Sequence, residues 1–333
     1  MRNIYKLSCA LMFSCLSAYA QQDSAIVAKG ERLLNLGYGV TVKAKESSAA
    51  ISEVTGEEIM KSAATNPLNA LYGKGLGLTV LQNGGTVWES VPTTMIRGLN
   101  STRDNSILVL IDGFERDLSM ITKEEIESVQ ILKDGAFKAL FGLSGANGVM
   151  FFTTKSVSKK KIDVSVNYEH HFNMLNRLPK FADGYTYALA MNEAMKNDGL
   201  SPMYDQTQLD GIKNNDPHYG NVNWMDEVLS KSGSTDNVFV TLSGGGKIVR
   251  YFSSVDYLSY KGFIKPENIV DEYSSQLKYS KLSIRTNVDV DLTKSTLLSF
   301  KMSGMLSEHN RPNPLPGDLM SMLYNTPAAA FPV

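Results

Sequence analysis

The feature that most constrains this chain is a period of two. Leu282, Ile284, Val288, Val290 and Leu292 alternate with Lys281, Ser283, Arg285, Asn287, Asp289 and Asp291. Successive strand side chains point to opposite faces, so this run fits a strand with one apolar and one polar side, and not a helix. After a turn at Leu292-Thr293-Lys294, Leu298, Phe300, Met302 and Leu306 alternate with Ser299, Lys301 and Ser303. Upstream, Ile162, Val164, Val166, Tyr168 and Phe172 alternate with Asp163, Ser165, Asn167, Glu169 and Asn173. A further pair runs from Asn237 to Leu242 through Gly244-Gly245-Gly246-Lys247 into Ile248 to Tyr260, with Tyr251, Val255 and Tyr257 on one face.

These strands are about ten residues or longer, with short turns at one end, long irregular segments such as 174–236 at the other, and aromatics near the ends. That is how an outer-membrane barrel reads; a soluble antiparallel sheet with one solvated face is the other reading the period allows. Residues 162–333 hold roughly five spanning strands, and hydrocarbon tolerates closed barrels but not open sheet edges. The chain therefore reads as the front of a larger protein or a truncated gene product, ending at Ala330-Phe331-Pro332-Val333 without a closing strand.

The N-terminus explains how such strands would reach a membrane. Arg2 and Lys6 precede the apolar run Leu7 to Leu16 and then Ala18-Tyr19-Ala20, the layout of a secretory signal peptide cut before Gln21. A lipobox ending at Cys15 fits poorly behind Met12-Phe13-Ser14. Both cysteines, Cys9 and Cys15, leave with residues 1–20, so the mature chain is cysteine-free and is neither a disulfide-stapled scaffold nor a thiol enzyme. With 33 Lys+Arg against 34 Asp+Glu, no bulk charge argues for nucleic acid.

Residues 21–50 are polar, small and weakly periodic, a flexible N-terminal arm. From 51 the pattern is compact α/β: short helices at Glu57–Lys61 and Asn66–Tyr72, and strands at Leu78–Leu81, Thr93–Ile96, Ile107–Ile111, Ser128–Leu132 and Val149–Thr153. Thr122-Lys123-Glu124-Glu125 has the spacing of a capping box and predicts a short helix. Ala136 to Phe141 is another, ended by Gly142. The four parts are thus a signal peptide (1–20), an arm (21–50), a small mixed sheet with short helices (51–160) and antiparallel amphipathic strands of an incomplete transmembrane barrel with long loops (161–333).

Chemistry-bearing patterns find no anchor. Gly73-Lys74-Gly75-Leu76-Gly77 follows a helix rather than a strand, and Gly244-Gly245-Gly246-Lys247 sits in a turn without phosphate-loop spacing. His170 and His171 face opposite sides of a strand, and His218 and His309 are remote, so no zinc set forms. Asp112, Glu115 and Asp117 could attract calcium, but Arg116 intrudes and turn chemistry explains them better. Ser144 lacks a nucleophile elbow. No enzyme, cofactor or metal is expected.

Several segments together resemble one family. They are Asn66-Pro67-Leu68-Asn69-Ala70-Leu71-Tyr72-Gly73-Lys74, Ile96-Arg97-Gly98, and Ile107 to Gly113 ending Leu110-Ile111-Asp112-Gly113. Further on come Glu125-Ile126-Glu127-Ser128-Val129-Gln130-Ile131-Leu132-Lys133-Asp134-Gly135, Phe141-Gly142, and Gly145-Ala146-Asn147-Gly148 running to Lys155. With Trp224-Met225-Asp226-Glu227, Leu242-Ser243-Gly244-Gly245, Arg250-Tyr251-Phe252 and Leu282 to Asn287, they resemble TonB-dependent outer-membrane receptors of the SusC/RagA type over about 35–310. Of that family's valine-rich lead-in only Leu36-Gly37-Tyr38-Gly39 remains, Ile26-Val27 stands where a TonB box is expected, and 21–35 is too short for the N-terminal β-domain many members carry.

The resemblance implies a plug domain inside a barrel of about 22 strands. It implies import of glycan or peptide, glycan somewhat favoured, with a SusD-like surface lipoprotein, the TonB–ExbB–ExbD complex and outer-membrane lipid as partners. It assigns Arg97, Gly98, Asp112, Gly113, Lys133, Asp134, Gly142, Asn147, Gly148 and Lys155 to plug turns and plug–barrel contacts, and gives the polar face at Arg285, Asn287 and Asp289 a plug to hold. The competing readings are a soluble or truncated binding module that does not transport, and a secreted glycan-active enzyme, for which no paired-carboxylate cleft can be placed.

Overall fold

The computed structural model describes residues 10–12, 17–20, 33–35, 41–43, 50–82, 84, 91–156, 161–265, 274–313 and 316–332. Ile26-Val27, Leu36 to Gly39, the signal cleavage point and most of the expected arm lie outside the described residues. Two compact units emerge: residues 1–169 with 237–258 and 280–308, and residues 170–236 with 259–279 and 309–333.

In the first unit, short pieces β1 (Ala10–Met12), β2 (Ser17–Ala20), β3 (Leu33–Asn35) and β4 (Thr41–Lys43) precede the α/β body. β3 and β4 pair as a hairpin. The body is built from β5 (Ile51–Thr55), α1 (Gly56–Met60), α2 (Pro67–Ala70), β6 (Leu78–Leu81), β7 (Thr93–Ile96), β8 (Leu108–Ile111) and β9 (Phe114–Glu115). β10 (Ile126–Leu132), α3 (Gly135–Lys138) and β11 (Val149–Thr154) complete it. Its main sheet has the order β5-β10-β11-β8-β9, with β11 and β8 parallel and the other pairs antiparallel. β6 and β7 form a separate hairpin.

β11 opens with the continuous apolar run Val149–Phe152, and β10 ends on the buried Ile131 and Leu132, because both faces of these strands are covered. One face packs Val54, Ile59, Leu71, Ile121, Val129, Ile131 and Phe152; the other packs Leu110, Leu132, Phe141, Val149 and Phe151. Thr55 caps α1 in a complete capping box with Glu58. Thr122 and Glu125 form the expected capping box, the Glu125 carboxylate accepting the Thr122 N–H at 3.3 Å. The helix it opens is a single 3-10 turn, Lys123–Glu125. Two strands of the α/β body escaped the sequence pattern: β5, whose Ser52 is buried to hold Lys133, and the two-residue β9.

Gly148 shows how tightly the body closes. Its φ is +116°, and a Cβ there would stand 2.6 Å from the Ile96 Cδ1. Gly148→Ala is expected to destabilise the body by about 1–3 kcal/mol through overpacking, with backbone strain added. Urea unfolding of the variant measures this, and an unchanged midpoint would mean that Ile96 moves aside freely.

Five long strands follow: β12 (Asp163–Met174), β13 (Ser232–Gly245), β14 (Val249–Lys261), β15 (Lys278–Asp291) and β16 (Thr296–Asn310). They form a sheet in the order β1-β16-β15-β14-β13-β12, with β2 also on β16. β1 and β2 thus lie antiparallel along one edge of β16. An unpaired strand edge accepts any extended segment that can satisfy its N–H and C=O groups.

The sheet is inverted relative to a water-soluble one. Asn237, Ser254, Asp256, Ser283, Arg285 and Asn287 are buried, whereas Ile162, Val164, Val166, Tyr168, Val255, Tyr257 and Ile284 are exposed. Mainly polar side chains, with Phe239 and Phe252 among them, lie on the buried face and apolar ones on the exposed face, the pattern of a lipid-facing wall.

In the second unit the stretch expected to be irregular is substantially helical. It carries α4 (Gly184–Asn197), α5 (Gln206–Lys213) and α6 (Trp224–Val228), and α7 (Pro316–Asn325) follows β16. Asp183 caps α4, and Asp205 with Gln208 makes a capping box on α5. The apolar stripe is thin, Ala188 against Leu209 and Ile212 with Ala329, which is why the period was hard to read.

Candidate functional site: a buried polar seam

Within the first unit, the turn before β10 buries three consecutive ionisable residues. Lys123, Glu124 and Glu125 are 3%, 3% and 1% exposed. Burying charge is costly unless it is paired and hydrogen-bonded, so the partners decide what this turn does. Glu125 Oε2 accepts Arg285 Nε at 2.8 Å, and Oε1 accepts the Ser254 hydroxyl at 2.7 Å. Arg285 Nη2 also donates to the Met120 carbonyl at 2.9 Å. Asn237 Nδ2 reaches Glu124 Oε1 at 3.4 Å, and Lys123 Nζ reaches Glu169 Oε2 at 3.3 Å. One turn of the α/β body thus engages β12, β13, β14 and β15.

A second group of contacts lies at the end of β11. Asn287 Nδ2 donates to Thr154 Oγ1 and to the Lys155 carbonyl, both at 3.0 Å. Asp112 accepts the Thr154 N–H at 3.0 Å and its hydroxyl at 2.7 Å, and pairs with Lys301 Nζ at 3.0 Å. Beside the seam, an open cleft of about 860 Å³ is lined by Glu124, Glu127, Lys155, Asn167, Thr241 and Phe252, among others.

Burial is the main influence on two ionisable groups of the α/β body at the seam, Glu124 and Lys155. It raises the Glu124 carboxyl above the ordinary glutamate range, against the pull of its backbone and of Lys123. Protonated Glu124 therefore favours the folded seam: that contribution is complete below the unfolded glutamate range and is lost as pH rises through the raised value. Lys155 is lowered by burial, opposed by Glu124, Glu125 and Glu127. Its contribution runs the other way, present above the ordinary lysine range and lost as pH falls through the lowered value.

Of the residues singled out in the sequence, Asp112 and Lys155 reach the long strands. The others sit in the turns of the α/β body. Arg97 and Asp112 take positive φ, 58° and 52°, each followed by a glycine that does the same, Gly98 and Gly113. Arg97 pairs with Asp134 at 2.8 Å, and Asp134 accepts the Ala50 N–H where the chain enters the body. Lys133 Nζ donates to Ser52 Oγ at 2.6 Å and to the Leu76 carbonyl at 2.9 Å. Gly142, with φ 58° and ψ −141°, breaks the helical stretch after α3. Asn147 Nδ2 holds the Asp104 and Ser106 carbonyls, beside Gly148.

Sequence reasoning missed Glu124 and Glu125 as contact residues, reading them only as a cap. The usable signal was a run of charge, Lys123 to Glu127, set between the core residues Ile121 and Val129. Chemically the seam offers ion pairs and hydrogen bonds. Among the described residues, no three acidic, histidine or cysteine side chains converge as a metal-ligand set.

A family model described as "TonB-dependent Receptor Plug Domain" matches residues 43–149. TonB-dependent receptor P3 of Formosa agariphila is 28% identical over 82% of this chain and 24% of its own length. TonB-dependent receptor SusC of Bacteroides thetaiotaomicron is 26% identical over 72% of this chain and 23% of its own. The chain therefore spans about a quarter of the length of these curated relatives. Among solved structures, the RagAB peptide importer in its open-open state superposes with a TM-score of 0.69 at 17% identity, over 85% of this chain and 33% of the importer's. That likeness is one of fold.

Proposed function

We propose that the chain is the N-terminal part of an outer-membrane uptake receptor, a TonB-dependent receptor of the SusC/RagA type. Its α/β body is the plug, its strands are the first of a barrel wall, and the seam is the releasable hold between them. The observation that carries this reading is the inverted sheet, whose buried polar face bonds the plug while its apolar face is exposed.

The cargo is an oligomeric nutrient, glycan before peptide. A SusD-like surface lipoprotein captures it, and the TonB–ExbB–ExbD complex draws on the arm before Ala50. Released by a signal peptide at 1–20, the protein resides in the outer membrane, with 51–160 as plug and 161–333 as wall and loops. Arg97, Gly98, Lys133, Asp134, Gly142, Asn147 and Gly148 keep the plug turns, while Asp112 with Gly113 and Lys155 present it to the wall. Polar seams of this kind hold by geometry rather than by apolar area, which suits a contact that must open.

The test is a reversible tether. Thr154 Oγ1 and Asn287 Nδ2 are 3.0 Å apart, and the only native cysteines lie in the leader. Cells producing a Thr154→Cys/Asn287→Cys variant should lose uptake of labelled oligosaccharide and peptide mixtures under oxidising conditions and regain it on adding reductant. Uptake that ignores a formed tether would defeat the proposal.

A further inference from the structure

The seam carries one carboxyl too many. Facing it are Glu124 and Glu125 from the turn, Glu169 from β12 and Asp256 from β14; against these four stand three cations, Lys123 from the turn with Lys281 and Arg285 from β15. Lys155 at the rim faces Glu124, Glu125 and Glu127 together, and counting it with Glu127 leaves the excess at one carboxyl. Arg285 is committed to Glu125, Lys123 is divided between Glu169 at 3.3 Å and Glu124 at 3.8 Å, and Lys281 faces Asp256, so Glu124 and Asp256 have no full cation each. Both are 3% exposed.

Hydrogen bonding points to the same place. The Asn237 amide sits with both carboxyls, its Nδ2 donating to Glu124. Asn237 Oδ1 has no donor, and Asp256 Oδ1 has no partner, though these residues are 7% and 3% exposed. An ionised carboxylate cannot satisfy an amide oxygen, since both only accept; a protonated one can, because its O–H donates. One proton removes the excess charge and satisfies both orphaned oxygens.

We propose that the plug–wall seam holds a proton on Asp256, donated to Asn237 Oδ1, so that Asn237 bridges a neutral aspartic acid and Glu124 and the plug is held only while that proton is bound. Losing it would set two buried carboxylates against one another across a contact joining plug and wall. The upward pressure that burial puts on Glu124 acts in the same direction. The inference rests on the seating of plug against wall that the proposed function also uses.

Difference infrared spectroscopy of the membrane-embedded protein tests it. A buried protonated-carboxyl stretch is expected at mildly acidic pH and lost at alkaline pH, together with slowed amide exchange over Thr122–Glu125 that is lost with it. Carbon-13 labelling of aspartate, and not of glutamate, should shift the band. Asp256→Asn should abolish the band and keep exchange slow at both pH values, while Glu124→Gln should retain it. The labelling arm needs no variant and so stands if either one fails to fold. No such band, a band that moves with labelled glutamate, or protection that follows sodium against choline with no band would overturn the proposal. A missing band with a tether that still blocks uptake would sink the proton alone; an inert tether beside an intact band would sink only the transport reading.

Discussion

Changing Arg285 to alanine should cost the seam about 3–5 kcal/mol, the scale for removing one partner of a buried ion pair. The cost arises chiefly from what is left behind. Glu125 would keep the Ser254 hydroxyl and the Thr122 N–H as donors, and the Met120 carbonyl would lose its own. Arg250 with Asp291 is the internal control. That pair is bidentate, but its side chains are 14% and 20% exposed, so it should count for about 1 kcal/mol or somewhat more. Arg285→Lys should be intermediate, because an ammonium cannot reach Glu125 and Met120 with one planar fork. Amide exchange over 120–127, with a double-mutant cycle through Glu125→Gln, would measure the coupling. A loss below about 1 kcal/mol would mean that water enters the pair on its own.

One residue earlier in the same strand, the sign of the chemistry reverses. Ile284 points away from the seam and is 46% exposed, so Ile284→Arg places a second guanidinium where Arg285 has its counterpart buried. On a lipid-facing wall this should cost about 2–4 kcal/mol near the midplane. On a soluble sheet it should be neutral or improve solubility. Urea titration of folding in vesicles, followed by heat-modifiable migration on gels, separates the two. Unchanged stability in lipid would make that face a water-facing one.

The long strands were legible because one face of each had to be apolar and the other polar at every second residue, and β11 because its apolar run Val149–Phe152 marks a strand covered on both sides. β5 was not, since its two apolar anchors, Ile51 and Val54, are three apart and Ser52 between them is buried for a polar reason. The loop helices were not legible: Asp183 and Asp205 stand at their N-caps, but their stripe of alanine and isolated leucine or isoleucine is too weak to register as a period. The seam was half legible. Arg285, Asn287 and Asp289 stood out on a polar face, whereas Glu124 and Glu125 looked like an ordinary solvated cap. Their true partners lie far down the chain, Arg285 being 160 residues from Glu125, and no local pattern encodes such a contact.

The position of those partners along the chain also bears on assembly. The α/β body draws its core from residues 54–152, a single unbroken stretch, while the bonds that Ser254, Asn287 and Arg285 make to it wait for residues 129 to 165 positions downstream of the groups they meet. Loops of that length close slowly, and closing them is rewarded only when the body already presents its turn. The body is thus the mould and the strands the casting: Arg285 and Asn287 find ordered acceptors waiting, and a casting made without the mould would leave them facing water, with no reason to settle in one place.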